Sequence, residues 1–159
     1  MREIPLTKGY VAIVDDEDFE FLSQWKWCAS SSGSRVYAMR GEGPRGGMRY
    51  IYMHRVVNGT PKGLVTDHIN GETLDNRRSN LRAATTSQNA MNARGHRDRA
   101  SRFKGVHVNS KGPKPWTSQI MRGGKVKVLG FFETEEAAAA AYQAEAAMLF
   151  GEYSRSDQQ

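Results

Sequence analysis

The segment 64–93 constrains the fold of this chain most. It contains two short apolar runs separated by a long polar loop, and a helical run follows the second of them. Residues 64–66 and 81–84 favour short strands, and residues 70–79 between them are rich in turn formers. Residues 85–93 favour a helix, because a threonine at their start can cap its first turn. The sequence therefore predicts a strand, a loop, a second strand and a helix, in that order.

Asp67 and His68 follow the first predicted strand, and Asn89 lies on the predicted helix, on the same face as Asn92. Carboxylate and amide oxygens are ligands that a hard divalent ion prefers. A neutral imidazole can take a proton from water near neutral pH. Because neighbouring strand side chains point to opposite faces, Asp67 and His68 can serve one centre only if the strand twists or ends there. The grouping indicates metal-assisted hydrolysis of a phosphodiester bond.

The net positive charge of the chain is concentrated in one segment of its second half. The 159 residues carry a net charge of +6, and ten of the 23 Lys/Arg lie between Arg94 and Phe131 beside one acid, Asp98. This excess favours a polyanionic partner such as DNA, with a solvated basic surface that binds nothing as the alternative.

Cysteine content and apolar runs limit the cellular setting. The lone Cys28 excludes an internal disulfide and argues against a thiolate zinc site. The N-terminus has no apolar run of signal-peptide length, and nothing approaches a membrane span. We therefore expect a protein of the cytoplasm, in a bacterium or a phage-infected host cell, with no membrane partner.

The first part of the chain predicts mixed strands and a short helix. Residues 8–14 favour a strand, and the acids from Asp15 onward favour a helix that ends near Trp25. Residues 35–40 and 49–53 alternate between apolar and polar, and predict a hairpin with a mobile tip. Four aromatic residues are expected in the core: Trp25, Trp27, Tyr37 and Tyr52.

Residues 103–132 contain three alternating runs separated by Gly- and Pro-containing turns, and predict a three-stranded antiparallel meander. Thr134 can cap a helix whose first turn holds two glutamates, and Gly151 is a natural stop. Such a helix is long enough to cover the sheet. The charged residues 94–102 are expected to form a linker, either ordered against phosphates or solvated.

Four short pieces follow one another at fixed spacing: Asp-His-Ile-Asn-Gly at 67–71, Leu-Asp-Asn-Arg at 74–77, Asn-Leu-Arg at 80–82 and Gln-Asn-Ala-Met-Asn at 88–92. Together, over residues 48–94, they resemble HNH homing endonucleases of the phage and intron type, in the ββα-metal class. Met-His-Arg at 53–55 also fits this subgroup.

The resemblance implies a role for each matched polar residue. His68 would be the general base, and Asp67 and Asn89 would hold Mg²⁺ or Mn²⁺. Asn80 would be the central asparagine, which braces the loop and orients His68. At the position of the last histidine in the His-Asn-His pattern that names the family, this chain has Asn89, which suits an oxygen-rich site. Asn80 taken alone could be a turn residue, and Asn92 is interpreted as structural.

Three arginines and one histidine beside the pattern have open roles. Arg77, Arg78 and Arg82 are expected to contact DNA phosphates, because guanidinium binds phosphate in bidentate fashion; solvated charges are the alternative. His54 is interpreted as structural, although a place near the phosphate stays open.

Ser-Arg-Phe-Lys-Gly-Val at 101–106, Trp-Thr-Ser-Gln-Ile at 116–120 and Leu-Gly-Phe-Phe at 129–132 resemble the APETALA-type domain of plant ethylene-response factors. The resemblance implies that the sheet enters the major groove of DNA while the helix packs behind it. A simple stabilising α+β domain is the alternative.

Alternation along the strands divides the residues of this sheet between two faces. Six residues are expected to face the helix: Val106, Val108, Trp116, Ser118, Ile120 and Leu129. Four are expected to face outward, toward DNA: His107, Asn109, Gln119 and Met121. Four cations are assigned to phosphate attraction: Lys104, Arg122, Lys125 and Lys127.

The sequence thus predicts an α+β protein with an HNH nuclease domain at 1–94, a basic linker at 95–102 and an APETALA-type DNA-binding domain at 103–159. We expect a metal-dependent endonuclease for duplex DNA that nicks one strand as a monomer, because it has a single metal site. The main alternative is a non-catalytic DNA-binding protein on an inactive HNH scaffold. An RNA-binding protein is a third, although the chain lacks the exposed aromatic pair of common RNA-binding sheets.

Overall fold

Two units make up the chain, Met1–Asn89 and Ala90–Gln159, in a computed structural model that describes residues 1–44, 47–92 and 100–154. Its class is α+β, with small antiparallel sheets and four α-helices in the described ranges. Residues 95–99 of the predicted linker and part of the predicted hairpin tip lie outside those ranges. None of the described helices has the length and hydrophobicity that crossing a membrane requires.

Short antiparallel hairpins form most of the first unit. In chain order its elements are β1 (Arg2–Pro5), β2 (Val11–Val14), α1 (Asp16–Leu22), β3 (Cys28–Ser32), β4 (Arg35–Glu42), β5 (Arg49–Tyr52), α2 (Met53–Asn58), β6 (Val65–His68), β7 (Leu81–Ala84) and α3 (Thr86–Asn92), which runs on past the division. β1 pairs with β2, β3-β4-β5 form one sheet, and β6 pairs with β7.

One apolar cluster fixes the elements that surround the candidate site. It contains Leu22 of α1, Met53 of α2 and Leu81 of β7. Trp27 belongs to it as predicted, and its ring N–H donates to the Leu22 carbonyl at 2.8 Å. Trp25 packs half-buried against the same cluster. Tyr37 and Tyr52, also predicted for the core, are only half-buried, and their rings lie against histidines described below.

The structure corrects several predicted boundaries in the first unit. The strand predicted from residue 8 begins only at Val11, because Thr7–Gly9 form a 3-10 turn in which Lys8 has a φ of 62°. α1 ends at Leu22, earlier than predicted, and β6 includes the Asp-His pair that was placed after its end. β1, β3 and α2 were not predicted at all.

The second unit consists of one sheet and one long helix. β8 (Val106–Val108), β9 (Trp116–Arg122) and β10 (Lys125–Phe132) form an antiparallel sheet in the order β10-β9-β8, which confirms the predicted meander. α4 (Glu135–Phe150) follows, and the Thr134 side chain accepts a hydrogen bond from the backbone N–H of Ala137. Gly151 ends α4, so the predicted cap and stop are both confirmed.

α4 packs on this sheet through small residues. Ala138 and Ala139 lie against Val106 and Trp116, and Tyr142 lies against Ile120 in a neighbouring cluster. The six predicted helix-facing residues include Leu129, which packs against the second cluster, and Ser118, which is fully buried. Val108 lies opposite Trp116 on the predicted face, but it is 53% exposed as the last residue of the edge strand β8.

Candidate active site

The β6–β7 hairpin places a carboxylate and an imidazole next to each other inside the fold. Asp67 is opposite Arg82 in the ladder, and His68 is opposite Leu81. Asp67 is only 3% exposed and His68 only 5%. Burying a charge without a partner costs several kcal/mol, about 3–5 when one member of a buried pair is removed. Each of these side chains therefore needs specific neighbours.

The Arg82 guanidinium supplies the counter-charge of Asp67. Its Nε and Nη2 atoms each lie 2.8 Å from Oδ2 of Asp67. The Arg82 side chain is 12% exposed, so the ion pair is shielded from water. Arg82 is thus tied to a candidate metal ligand, and its predicted contact with DNA phosphate stays a prediction.

His68 lies in a cluster of rings. Its centroid is 5.2 Å from that of His54 and 6.3 Å from that of Tyr37, and His54 stacks on Tyr52 at 5.4 Å. Burial is the main cause that lowers the pKa of His68, against the opposite effects of the hydrogen bond that its ring donates to Asn76 and of nearby carboxylates. His68 is therefore neutral at pH 7, which is the form that can accept a proton.

His54 of α2 belongs to the same cluster of rings. It is 8% exposed, and its buried Nδ1 has no hydrogen-bond partner within the described ranges. Burial, with smaller effects of His68 and Arg55, lowers the pKa of His54 to about 3. A buried imidazole without a partner stays neutral, because charging it there is costly. The interpretation of His54 as structural is compatible with this burial, and its contact with His68 brings it to the site.

Asn80 ties together the loop that connects β6 to β7. Its Oδ1 accepts from the backbone N–H of Asn70 at 2.9 Å, and its Nδ2 donates to the backbone carbonyl of Asp75 at 2.8 Å. These bonds brace the loop. The contact with the ring of His68 comes instead from Asn76, whose Oδ1 lies 3.3 Å from Nε2 of His68.

Arg77 and Arg78 are engaged by carboxylates of the first unit. Nε and Nη2 of Arg77 lie 2.7 Å from the two oxygens of Asp75, and these hydrogen bonds lower the pKa of Asp75. Arg78 reaches Asp18 at 2.8 and 2.6 Å and Glu17 at 2.9 Å. A DNA phosphate would have to compete with these carboxylates, and the predicted contacts of both arginines stay predictions.

A capping box fixes the start of α3, which carries Asn89. The Thr85 hydroxyl accepts from the backbone N–H of Gln88 at 3.2 Å, and Oε1 of Gln88 accepts from the backbone N–H of Thr85 at 2.8 Å. Asn89 sits one residue beyond this box and is half-buried, while Asn92 is buried. α3 therefore begins directly after β7, the strand that pairs with the one holding Asp67.

The donor chemistry of Asp67 and Asn89 fits a hard divalent ion. Both offer oxygen, which Mg²⁺ and Mn²⁺ prefer over the softer ligands of other metals. Among the residues that the structure describes, no group of three or more His, Cys, Asp or Glu is arranged to hold a metal. A site at this place would therefore depend on the amide oxygen of Asn89 and on ligands from water or phosphate.

The cations predicted to contact DNA in the second unit differ in their surroundings. Lys127 lies on the helix side of the sheet, where its ammonium donates to Glu145 of α4 at 2.7 Å. Lys104 donates to two backbone carbonyls of the same unit. Arg122 and Lys125 are opposite each other at the exposed end of the β9–β10 hairpin. The contacts of all four cations with phosphate stay predictions.

The sheet face turned away from α4 is more apolar than expected. Gln119 and Met121 flank the buried Ile120 in β9, so their side chains point to the opposite face of the sheet. On β10, Val126 lies opposite Met121 and Val128 lies opposite Gln119. Met121, Val126 and Val128 are 56%, 57% and 50% exposed.

His107 and Asn109, the other residues predicted to face DNA, are half-buried. The Asn109 amide donates to the Lys114 carbonyl at 2.8 Å, and its oxygen accepts from the backbone N–H of Lys111. Asn109 thus braces the connection between β8 and β9, and both DNA contacts stay predictions.

Comparison with known proteins places the matched residues in a family. Residues 52–91 match a family model described as HNH endonuclease. An uncharacterized HNH endonuclease of Acanthamoeba polyphaga mimivirus is 32% identical over 146 residues, which is 92% of this chain and 74% of the relative. Protein 3.8 of Escherichia phage T7 is 33% identical over 78 residues, which is 48% of this chain and 64% of that protein. No solved structure matches the chain.

Proposed function

The chain belongs to the HNH endonuclease family, and from this premise we propose that it is a metal-dependent endonuclease that hydrolyses phosphodiester bonds of duplex DNA. The observation that carries the proposal is the pair of Asp67 and His68 in the β6–β7 hairpin, inside the matched residues 52–91. A buried neutral imidazole stands there beside a buried carboxylate. Asn89 lies on the helix that follows at once.

His68 acts as the general base and takes the proton of the attacking water. Asp67 and Asn89 would hold Mg²⁺ or Mn²⁺, and the bound ion would supply charge stabilisation for the phosphate and for the departing 3′ oxygen. Asn80 keeps the loop after His68 closed through its two backbone contacts. Water attack on the phosphorus leaves a 5′-phosphate and a 3′-hydroxyl end.

The number of catalytic centres indicates how many DNA strands are cut in one event. One general base and one pair of oxygen ligands serve one strand at a time, so we assign nicking by a monomer. The ββα order of β6, β7 and α3 supports membership of the ββα-metal class, in the homing type of phages and introns. Such an enzyme works in the cytoplasm of a bacterium or of an infected cell.

Anchoring on duplex DNA is assigned to the second unit, as an APETALA-type domain at 103–159 joined to the nuclease domain at 1–94 by the linker 95–102. Support comes from the three-stranded sheet backed by α4 and from the exposed cations Arg122 and Lys125. Phosphate attraction of this kind depends strongly on salt concentration. Anchoring raises the concentration of the catalytic centre at nearby phosphates.

A plasmid-nicking assay with and without EDTA tests the proposal. Supercoiled plasmid should become open circles in Mg²⁺, remain supercoiled in EDTA, and be nicked again when Mg²⁺ is restored. Duplex binding should persist in EDTA, because the anchoring unit needs no metal. Binding without any nicking in Mg²⁺ or Mn²⁺ would instead establish a DNA-binding protein on an inactive HNH scaffold.

A further inference from the structure

The side-chain amide of Asn76 has its orientation fixed by a backbone carbonyl. Nδ2 of Asn76 donates to the carbonyl of Leu74 at 3.2 Å. The other end of the amide, Oδ1, therefore faces Nε2 of His68 at 3.3 Å, near the long end of the hydrogen-bond range. An amide oxygen can only accept, so Nε2 of His68 must be the donor in this pair.

We propose that Asn76 is a positioning residue that holds the proton of neutral His68 on Nε2. Nδ1 is then the nitrogen that takes the proton of water. This role rests on the proposed function of His68 as the general base. A neutral imidazole has one N–H, and a proton on Nε2 leaves the lone pair on Nδ1. In the reaction one O–H bond of water breaks and Nδ1–H forms. The hydroxide then forms the new P–O bond, while the bond to the 3′ oxygen breaks and leaves its electron pair on that oxygen.

The contact serves His68 before and after proton transfer. Once Nδ1 has taken a proton, both ring nitrogens carry hydrogen, and Nε2–H still donates to Asn76. Asn76 is 0% exposed, so water cannot readily take over this role. Loss of the amide oxygen would remove the acceptor that Asn76 offers to this buried N–H.

The N-terminal hairpin holds the amide in place. The backbone N–H of Ile13, in β2, donates to the Leu74 carbonyl at 2.9 Å, and the backbone N–H of Asn76 donates to the Ile13 carbonyl at 2.7 Å. The Leu74 carbonyl thus accepts from both Ile13 and the Asn76 side chain. β2 lies outside residues 52–91, so a segment beyond the matched region takes part in orienting the base.

Asn76→Leu and Asn76→Asp form a matched pair of variants. Both lose the donor to Leu74, but only aspartate keeps an oxygen that can accept from Nε2 of His68. In plasmid nicking, Asn76→Leu should lose about tenfold in kcat, about the worth of one hydrogen bond, with KM nearly unchanged. Asn76→Asp should keep most of kcat. A purely structural role predicts the opposite order, because a buried charge costs more than an apolar group of similar size.

The position of the proton can be measured on the wild-type protein without any substitution. Long-range ¹H–¹⁵N correlation spectra of protein labelled with ¹⁵N-histidine, at mildly alkaline pH, distinguish a protonated ring nitrogen from an unprotonated one. We expect His68 to carry its proton on Nε2. A proton on Nδ1 in a protein that nicks DNA would overturn the role of Asn76 and leave His68 as the base. Normal nicking by His68→Ala would overturn the role of His68 as the base, and with it the role of Asn76. Absence of nicking by the wild-type protein in Mg²⁺ or Mn²⁺ would overturn the proposed function itself.

Discussion

Two buried histidines face each other at the candidate site, and burial favours the neutral form of both. The ring centroids of His54 and His68 are 5.2 Å apart, and burial is the largest cause of the lowered pKa in each. A proton on one would also repel a proton on the other. The surroundings therefore favour neutral imidazoles at neutral pH, as a general base requires.

Protonation of His54 should destabilise the first unit in acid. Its folded pKa of about 3 lies below the usual value of 6.5, so the unfolded chain binds the proton more tightly. The stability that neutral His54 provides is complete above about pH 6.5 and is lost as the pH falls toward the folded pKa. When the pH falls from about 7.5 to about 5, the free energy of unfolding measured with urea should decrease by about 2 kcal/mol less for His54→Phe than for the wild type. Equal losses in the two proteins would contradict this.

At the scale of the element, the sequence predicts structure well where the local signal is long. α4 has sixteen residues, a threonine cap and a terminal glycine, and β10 begins with an alternating Lys-Val-Lys-Val run. β3 reads Cys-Ala-Ser-Ser-Ser, which has little strand preference, and becomes a strand by pairing with β4. α2 has six residues, too few to show a helical period.

Only part of the candidate site could be predicted from the sequence. Asp67, His68, Asn80 and Asn89 stand in a spaced pattern that can be read from the sequence. Asn76 stands in the Leu-Asp-Asn-Arg piece of the same pattern, but its contact with His68 could not be predicted, because its burial depends on docking of residues 74–76 against β2 far back in the chain. A contact of that kind leaves no local periodicity in the sequence.

The cross-strand pair of Asp67 and Arg82 leads to a prediction about metal binding. Without metal, Arg82→Met should lower the free energy of unfolding by about 3 kcal/mol, because it removes the positive charge paired with the buried Asp67 carboxylate. Mg²⁺ can then replace the lost positive charge, so it should raise Tm more in this variant than in the wild type. Arg77→Met, which releases Asp75 instead, is the control and should show no extra gain. The same Mg²⁺ effect in both variants would argue against Asp67 as a ligand.

Close packing between α4 and the sheet depends on Gly105. A Cβ there would collide with the ring of Tyr142 and would lie 2.6 Å from the Gln119 carbonyl, at a φ of +73°. Gly105→Ala should therefore destabilise the second unit by about 3 kcal/mol or more. Gly123→Ala is the matched control, with a φ of +56° and open space around it, and should cost only about 1 kcal/mol. Thermal unfolding of both variants checks this, and equal losses would contradict the packing.

At the scale of the whole molecule, the division of labour between the units can be tested by truncation. Removal of residues 101–159 should weaken binding to duplex DNA by about tenfold or more and flatten its salt dependence, because the anchoring cations are lost. Single-turnover nicking at saturating protein should change much less. Binding that is unchanged after truncation would refute the anchoring role, once circular dichroism shows that the remaining unit is folded.

The most direct test of the catalytic centre is single-turnover nicking of supercoiled plasmid by His68→Ala, measured together with its affinity for the same DNA. The nicking rate should fall by a factor of about 10²–10⁴, because the general base is lost. The dissociation constant should stay within about twofold, because anchoring does not involve this side chain. Undiminished nicking, or equal losses of nicking and binding, would contradict the assignment of His68 as the base.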